Sequence, residues 1–188
     1  QSKAITILRR EKMNGQLSIA LLNAGFNYYS TGRLEEALVH YNEAEPIFDT
    51  IGMTIGKAYT IGNRALVYWK RGNSAQAITD LNRAIDMLKP LEDDYGMSDY
   101  HNQLASIYFE QGNAKLAIFH AEQSTSMAKE LGLKEQLRDG YLLLSQLYSG
   151  QNKHQQAFDY QSLYIVYKDS LANAEQTKEI ANIRTDFE

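Results

Sequence analysis

Tyr28, Tyr68, Tyr108 and Tyr148 recur at a step of 40 residues, and Ala37, Ala77, Ala117 and Ala157 keep the same step nine positions later. Gly32, Gly72, Gly112 and Asn152 follow it as well, as do Ala4, Ala44 and Ala84 before Ser124 and Tyr164 take over that register. A recurrence this long belongs to a chain built from copies of one supersecondary unit. One copy cannot bury its own apolar face, so the copies must stack into an array.

Within a copy, apolar residues fall three and four apart, which predicts amphipathic helices over residues 18–31 and 34–48 and their equivalents. Gly32 between them tolerates the left-handed backbone that ends the first helix, and so short a linker makes the two helices antiparallel neighbours. Gly25, Ala65, Ala105 and Ser145, three before each tyrosine, leave room for the second helix, whose recurring alanine completes the seam. Pro46 falls inside the second helix of the first copy, where it removes a backbone hydrogen bond and is expected to kink the chain.

The run Leu21-x-x-Ala24-Gly25-x-x-Tyr28-x-x-x-Gly32-x-Leu34-x-x-Ala37-x-x-x-Tyr41-x-x-Ala44 resembles the tetratricopeptide repeat (TPR) consensus, and the next three copies match it more loosely. The step of 40 exceeds that family's usual ~34. The added residues lie between copies, where Ile51-Gly52, Leu91-Glu92 and Leu131-Gly132 correspond, a spacing similar to that of spindle-orientation adaptors and bacterial peptide-pheromone receptors. The resemblance implies an all-α fold, a right-handed superhelical array of antiparallel helix pairs with about four repeats and a C-terminal capping helix. The expected divisions are 1–16 as the end of a preceding repeat, 17–56, 57–96, 97–136 and 137–168 as repeats, and 169–188 as a capping or connecting helix.

The 188 residues carry 19 basic and 23 acidic side chains, a formal charge of −4, and no cysteine. No basic field exists to grip nucleic acid, and disulfides, cysteine-ligated zinc and thiol catalysis are excluded. No apolar run reaches the ~20 residues of a membrane span, so no membrane contact is expected of this segment. His40, His101, His120 and His154 form no close metal-ligand pair and are expected on the surface or in a groove. Glu92-Asp93-Asp94 lacks the alternating pattern of a calcium loop and reads as a solvated turn. No phosphate-cradling loop or activated nucleophile is visible. A non-enzyme without metal or cofactor is the expectation.

In the family, positions 2, 5, 6, 9, 12 and 13 of each first helix face a concave, peptide-binding groove. Counting from Ser18, Ala58, Ser98 and Arg138, these positions supply Ile19, Leu22, Asn23, Phe26 and Tyr29, then Tyr59, Asn63, Leu66, Trp69 and Lys70. The third copy supplies Asp99, Asn102, Gln103, Ser106, Phe109 and Glu110, and the fourth Asp139, Leu142 and Gln146. The expected groove is aromatic at one end and polar to acidic at the other, with Asn23, Asn63 and Gln103 as an amide ladder for an extended peptide. The competing reading has Phe26, Leu66 and Trp69 packing against neighbouring helices. The carboxylate clamp of chaperone adaptors needs basic residues at positions 5, 2 and 6 of successive first helices; position 5 here is Leu22, Gly62, Asn102 and Leu142, and Arg64 lies one place beyond position 6, so that ligand class is not expected. Asp99, Glu110 and Asp139 favour a basic or amino-terminal ligand.

The first residues align with the close of a second helix, Ala4 with Ala44 and Ile7 with Ile47, and the chain reads as a segment of a longer one. Its end, Lys168-Asp169-Ser170-Leu171 followed by a polar helix over 173–187, is similar to the repeat region of multidomain signalling proteins of Bacteroidetes, in which a histidine kinase, nucleotide cyclase or DNA-binding domain follows. That resemblance implies a sensory or regulatory input module on the periplasmic side of a membrane-anchored sensor or in the cytoplasm. The alternatives are a scaffold dimerising through an Ile180 and Ile183 stripe, or a pheromone-type receptor domain.

Overall fold

The computed structural model describes the backbone of residues 2–186 and the side chains of residues 3–176. Among the described residues there are nine α-helices and no strand: α1 (Ser2–Arg10), α2 (Asn14–Ser30), α3 (Leu34–Thr50), α4 (Thr54–Lys70), α5 (Ser74–Leu88), α6 (Asp94–Glu110), α7 (Ala114–Leu131), α8 (Lys134–Gly150) and α9 (His154–Asp186). A 3₁₀ turn, Lys89–Leu91, holds Pro90 after α5.

Every connection carries one left-handed residue, and these fall 20 residues apart. Lys12, Gly32, Gly52, Gly72, Glu92, Gly112, Gly132 and Asn152 all have φ between +53° and +80°. Each first helix closes the same way. The amides of Arg33, Asn73, Asn113 and Lys153 reach back to the carbonyls of Tyr28, Tyr68, Tyr108 and Tyr148 at 2.8–3.0 Å, the Schellman closure. The recurring tyrosine is thus the residue whose carbonyl receives the closing amide, two before the last helical residue.

Residues 1–103 and 104–188 form two compact units, and the boundary falls within α6. In the first unit α1 packs on α2 through Ile5, which joins Leu17, Leu21, Ala24, Ala44 and Phe48 in one core. Ala37, Leu38, Tyr41 and Val67 form another between α3 and α4. Gly25 is a contact rather than a hinge, since a Cβ there would overlap the buried Tyr41 ring. Ala4 and Ile7 have a second-helix register but stay exposed, unlike Ala44. In the second unit Ala117, Ala121 and Ala128 of α7, Leu137, Leu144 and Leu147 of α8, and Ala157 of α9 share a core.

Pro46 lies inside α3, which runs on to Thr50, whose hydroxyl donates to the Pro46 carbonyl at 2.8 Å. The polar helix expected over 173–187 continues α9, one helix of 33 residues. The left-handed stop due at the next 20-residue step falls on Ala172, the best helix former, and no proline follows it. The side chains of Ile180 and Ile183 lie outside the described residues.

Candidate functional site

In the first unit, the first helices of successive pairs are neighbours. Lys70, at the last turn of α4, holds its ammonium 4.5 Å from the centre of the Tyr29 ring on α2. Burial raises the Tyr29 phenol pKa, and the Asp99 carboxylate on α6 raises it further, so α2, α4 and α6 place side chains on one connected face. Asp99 is half-buried. Burial pushes its carboxyl pKa up, against the opposing pull of a hydrogen bond from Gln103.

Tyr59 sits beside this group. Its hydroxyl donates to Asp93 at 3.0 and 3.3 Å, its ring meets Tyr100 at 6.2 Å, and burial together with the Asp93 bond raises its pKa well above the ordinary phenol value. Asp93 also accepts the Gly96 amide at 2.9 Å. The acid run is therefore a built corner: Glu92 supplies the left-handed turn, Asp93 caps α6 and anchors Tyr59, and Asp94 opens the helix.

Around this cluster Ile19 and Phe26 are exposed (45% and 51%), and so is Asn23, while Leu22, Asn63, Trp69, Asn102 and Gln103 are half-buried. Leu66 is buried, so it supplies packing rather than ligand surface. Gly62, at a groove position by register, is closed by the Tyr100 ring, which a Cβ there would overlap. Arg64 turns away toward the second helices. It meets Glu45 at 2.5 Å, Asp80 at 3.4 Å and Asn42 at 3.3 Å, with Arg83 beyond at 3.5 Å from Glu45.

In the second unit Ser106 and Leu142 are half-buried, and Glu110 and Asp139 are exposed. Asp139 is paired to its neighbour Arg138 at 2.7 Å, so part of the expected acidic character is compensated locally. Phe109 and Gln146 line a cavity of about 170 Å³ with Gly112, Ala114, Leu147, Gly150 and Gln151. His120, expected on the surface or in a groove, is buried on α7, stacked on Tyr108 at 5.4 Å and edge-on to Phe119 at 5.1 Å. Burial lowers its pKa. Tyr148 occupies the equivalent stack with Tyr160 at 5.5 Å and donates to Glu122 at 3.0 Å, and burial, then Glu122, pushes its pKa up to about 12.

Sequence reasoning missed Asp93, Tyr100, Gly150 and Gln151. Tyr100 and Gly62 occur once each in their registers, so the repeat gave no signal for their contact. Among the described residues no cluster of histidine, aspartate and glutamate could hold a metal. No described helix is long and apolar enough to cross a membrane.

Stacked antiparallel helix pairs closed by left-handed residues every 20 positions define an α-solenoid of the tetratricopeptide type. Residues 55–130 match the family model described as tetratricopeptide repeat. No curated protein matches the sequence. Among solved structures the chain is similar to BtubC (BKLC) from P. vanneervenii, with 16% identity and a TM-score of 0.75 over 85% of this chain and 66% of that one. It is also similar to a putative kinesin light chain from Podosopora anserina with nearly identical TPR-like repeats, at 14% identity and a TM-score of 0.52, covering 87% and 90% of the two chains. MamA protein is a third, at 16% identity and 0.50 over 85% and 96%. Likeness at this identity shows the fold. The chain spans just under two thirds of the BtubC structure. Folds of this kind generally mediate protein–protein interaction.

Proposed function

We propose that this chain is a non-catalytic module that binds a peptide or protein segment along the face built by its first helices, with 17–56, 57–96, 97–136 and 137–168 as its repeats. The observation carrying this is the stepping of Tyr29, Lys70 and Asp99 from three successive first helices onto one face, beside the exposed Ile19, Asn23 and Phe26. Aromatic and aliphatic anchors among amides and opposite charges suit an extended segment whose backbone needs both donors and acceptors. The role within a larger protein is sensory or regulatory input in bacterial signalling, an inference supported by the Lys168–Leu171 resemblance.

The test is selection of peptides by display on the intact chain, followed by affinity measurement with variants. Phe26→Ala and Asn23→Ala should each weaken the selected peptide about tenfold, or ~1.4 kcal/mol, without moving the unfolding midpoint. Unchanged affinity in both, with loss in Val39→Ala on α3, would place the partner on the second helices and end this reading.

A second reading, an assembly scaffold, is supported by α9, where Phe158 and Val166 are 68% and 62% exposed. Sedimentation across a hundredfold concentration range separates the two, since a strict monomer disfavours the scaffold.

A further inference from the structure

The repeat register turns one internal contact into a template. Lys70 is the last residue of α4, and its ammonium lies over Tyr29, the residue before the last of α2. Eighty residues on, the same two registers hold Gly150 and Phe109. Gly150 ends α8 with no side chain to lay over Phe109, and the two line the 170 Å³ cavity together. Phe109 stays 41% exposed. Where the first unit fills this notch with its own lysine, the second unit leaves it open.

We infer that the Phe109–Gly150 notch accepts a lysine or arginine side chain from a bound peptide, in the place that Lys70 takes over Tyr29. Three features select a cation. The Phe109 ring offers its negative face, and the apolar walls, Ala114 and Leu147, accommodate the alkyl stem. The notch lies at the C-terminal ends of both α6 and α8, where helix dipoles favour positive charge, against the single N-terminus of α7. The amide oxygens of Gln146 and Gln151 can accept from the ammonium, no basic side chain lines the notch, and residues 104–188 carry eight basic against eleven acidic side chains.

The inference deepens the binding reading above and rests on it for the source of the side chain, but its test is independent of any selected peptide. The probes are Nα-acetyl-lysine methylamide and Nα-acetyl-norleucine methylamide, titrated into the intact chain and followed by amide NMR shifts. The lysine probe should perturb Phe109, Gly150 and Gln151 and bind about three- to fivefold more tightly than norleucine. Gly150→Lys should abolish that binding. It is compatible with folding, because φ at Gly150 is not positive and a Cβ there meets nothing within 4 Å. Lys70→Gly should create a second lysine response at Tyr29. Equal or tighter norleucine binding would make the notch an apolar anchor site and overturn the inference while leaving the binding face intact. No perturbation at Phe109, or one that survives Gly150→Lys, overturns it as well. Lysine binding here combined with selected peptides that ignore Phe26 and Asn23 and lose affinity in Val39→Ala would leave the notch standing and remove the face.

Discussion

At the residue scale, the left-handed positions show how one backbone requirement is met by different side chains. Five of the eight are glycine, and Asn152 tolerates the conformation, but Lys12 and Glu92 carry the steric cost of a Cβ at φ +53° and +54°. Glu92→Gly should therefore raise stability by about 1 kcal/mol despite the added freedom of the unfolded chain, and Gly72→Ala should lower it by a similar amount, both read as urea midpoints. The glycine set was legible because glycine marks this need in sequence; Lys12 and Glu92 were not, because only their place in the 20-residue count betrays them. The residue after each first-helix stop divides likewise. Asn73 and Asn113 cap the following helices by accepting the amides of Gln76 and Leu116 at 3.2 Å, whereas Arg33 and Lys153 lie over the rings of Tyr28 and Tyr148 at 4.4 and 5.3 Å.

At the element scale, helix pairing was legible and helix-to-helix exceptions were not. The small-residue seam follows the 40-residue step, so Ala77 and Ala117, both fully buried, announce themselves. Ala117→Leu should cost about 1–3 kcal/mol by overpacking. The α4–α6 contact follows no step, since it joins two residues unique in their registers, Gly62 and Tyr100. The corner before α6 is similar: Asp93 reads as one of three acids, yet it alone takes both the Tyr59 hydroxyl and the Gly96 amide. Asp93→Ala should destabilise by about 1–2 kcal/mol and free the Tyr59 phenol, whose ultraviolet titration then moves down toward its ordinary value. Arg64 makes a third case. Its guanidinium joins α4 to Glu45 of α3 and Asp80 of α5, burial opposes its charge, and the Glu45 bond with both carboxylates more than restores it. Arg64→Met would strip both largely buried carboxylates of their shared guanidinium and should cost about 3 kcal/mol by thermal or urea unfolding.

At the scale of the whole molecule, an array's stability is approximately a sum over units and nearest-neighbour interfaces, so a perturbation confined to one unit should be read there and not elsewhere. His120 supplies such a perturbation. It is buried in the second unit between Tyr108 and Phe119, and burial lowers its pKa below that of an unfolded histidine. Above pH ~6.5 the imidazole is neutral in both states and costs nothing. As pH falls through that value the unfolded chain takes the proton first, so stability declines toward acid, by at most about 1.4 kcal/mol per pH unit from this one group. Between pH 7.5 and 5.5, amide exchange through local opening should quicken in α7 and α8 beyond its intrinsic pH dependence, while α4 and α5, which carry no histidine, show no such excess. His120→Phe keeps the ring stack and removes the proton, so the acid sensitivity of α7 and α8 should shrink even where the substitution changes absolute stability. An unchanged pH slope in that variant would assign the effect to other groups. The sequence reading put His120 on the surface or in a groove because no histidine has a metal-ligand partner at close spacing. The register says otherwise, since the residue twelve after each recurring tyrosine is His40, Asp80, His120 and Tyr160, and in the first, third and fourth copies that side chain lies against the tyrosine ring.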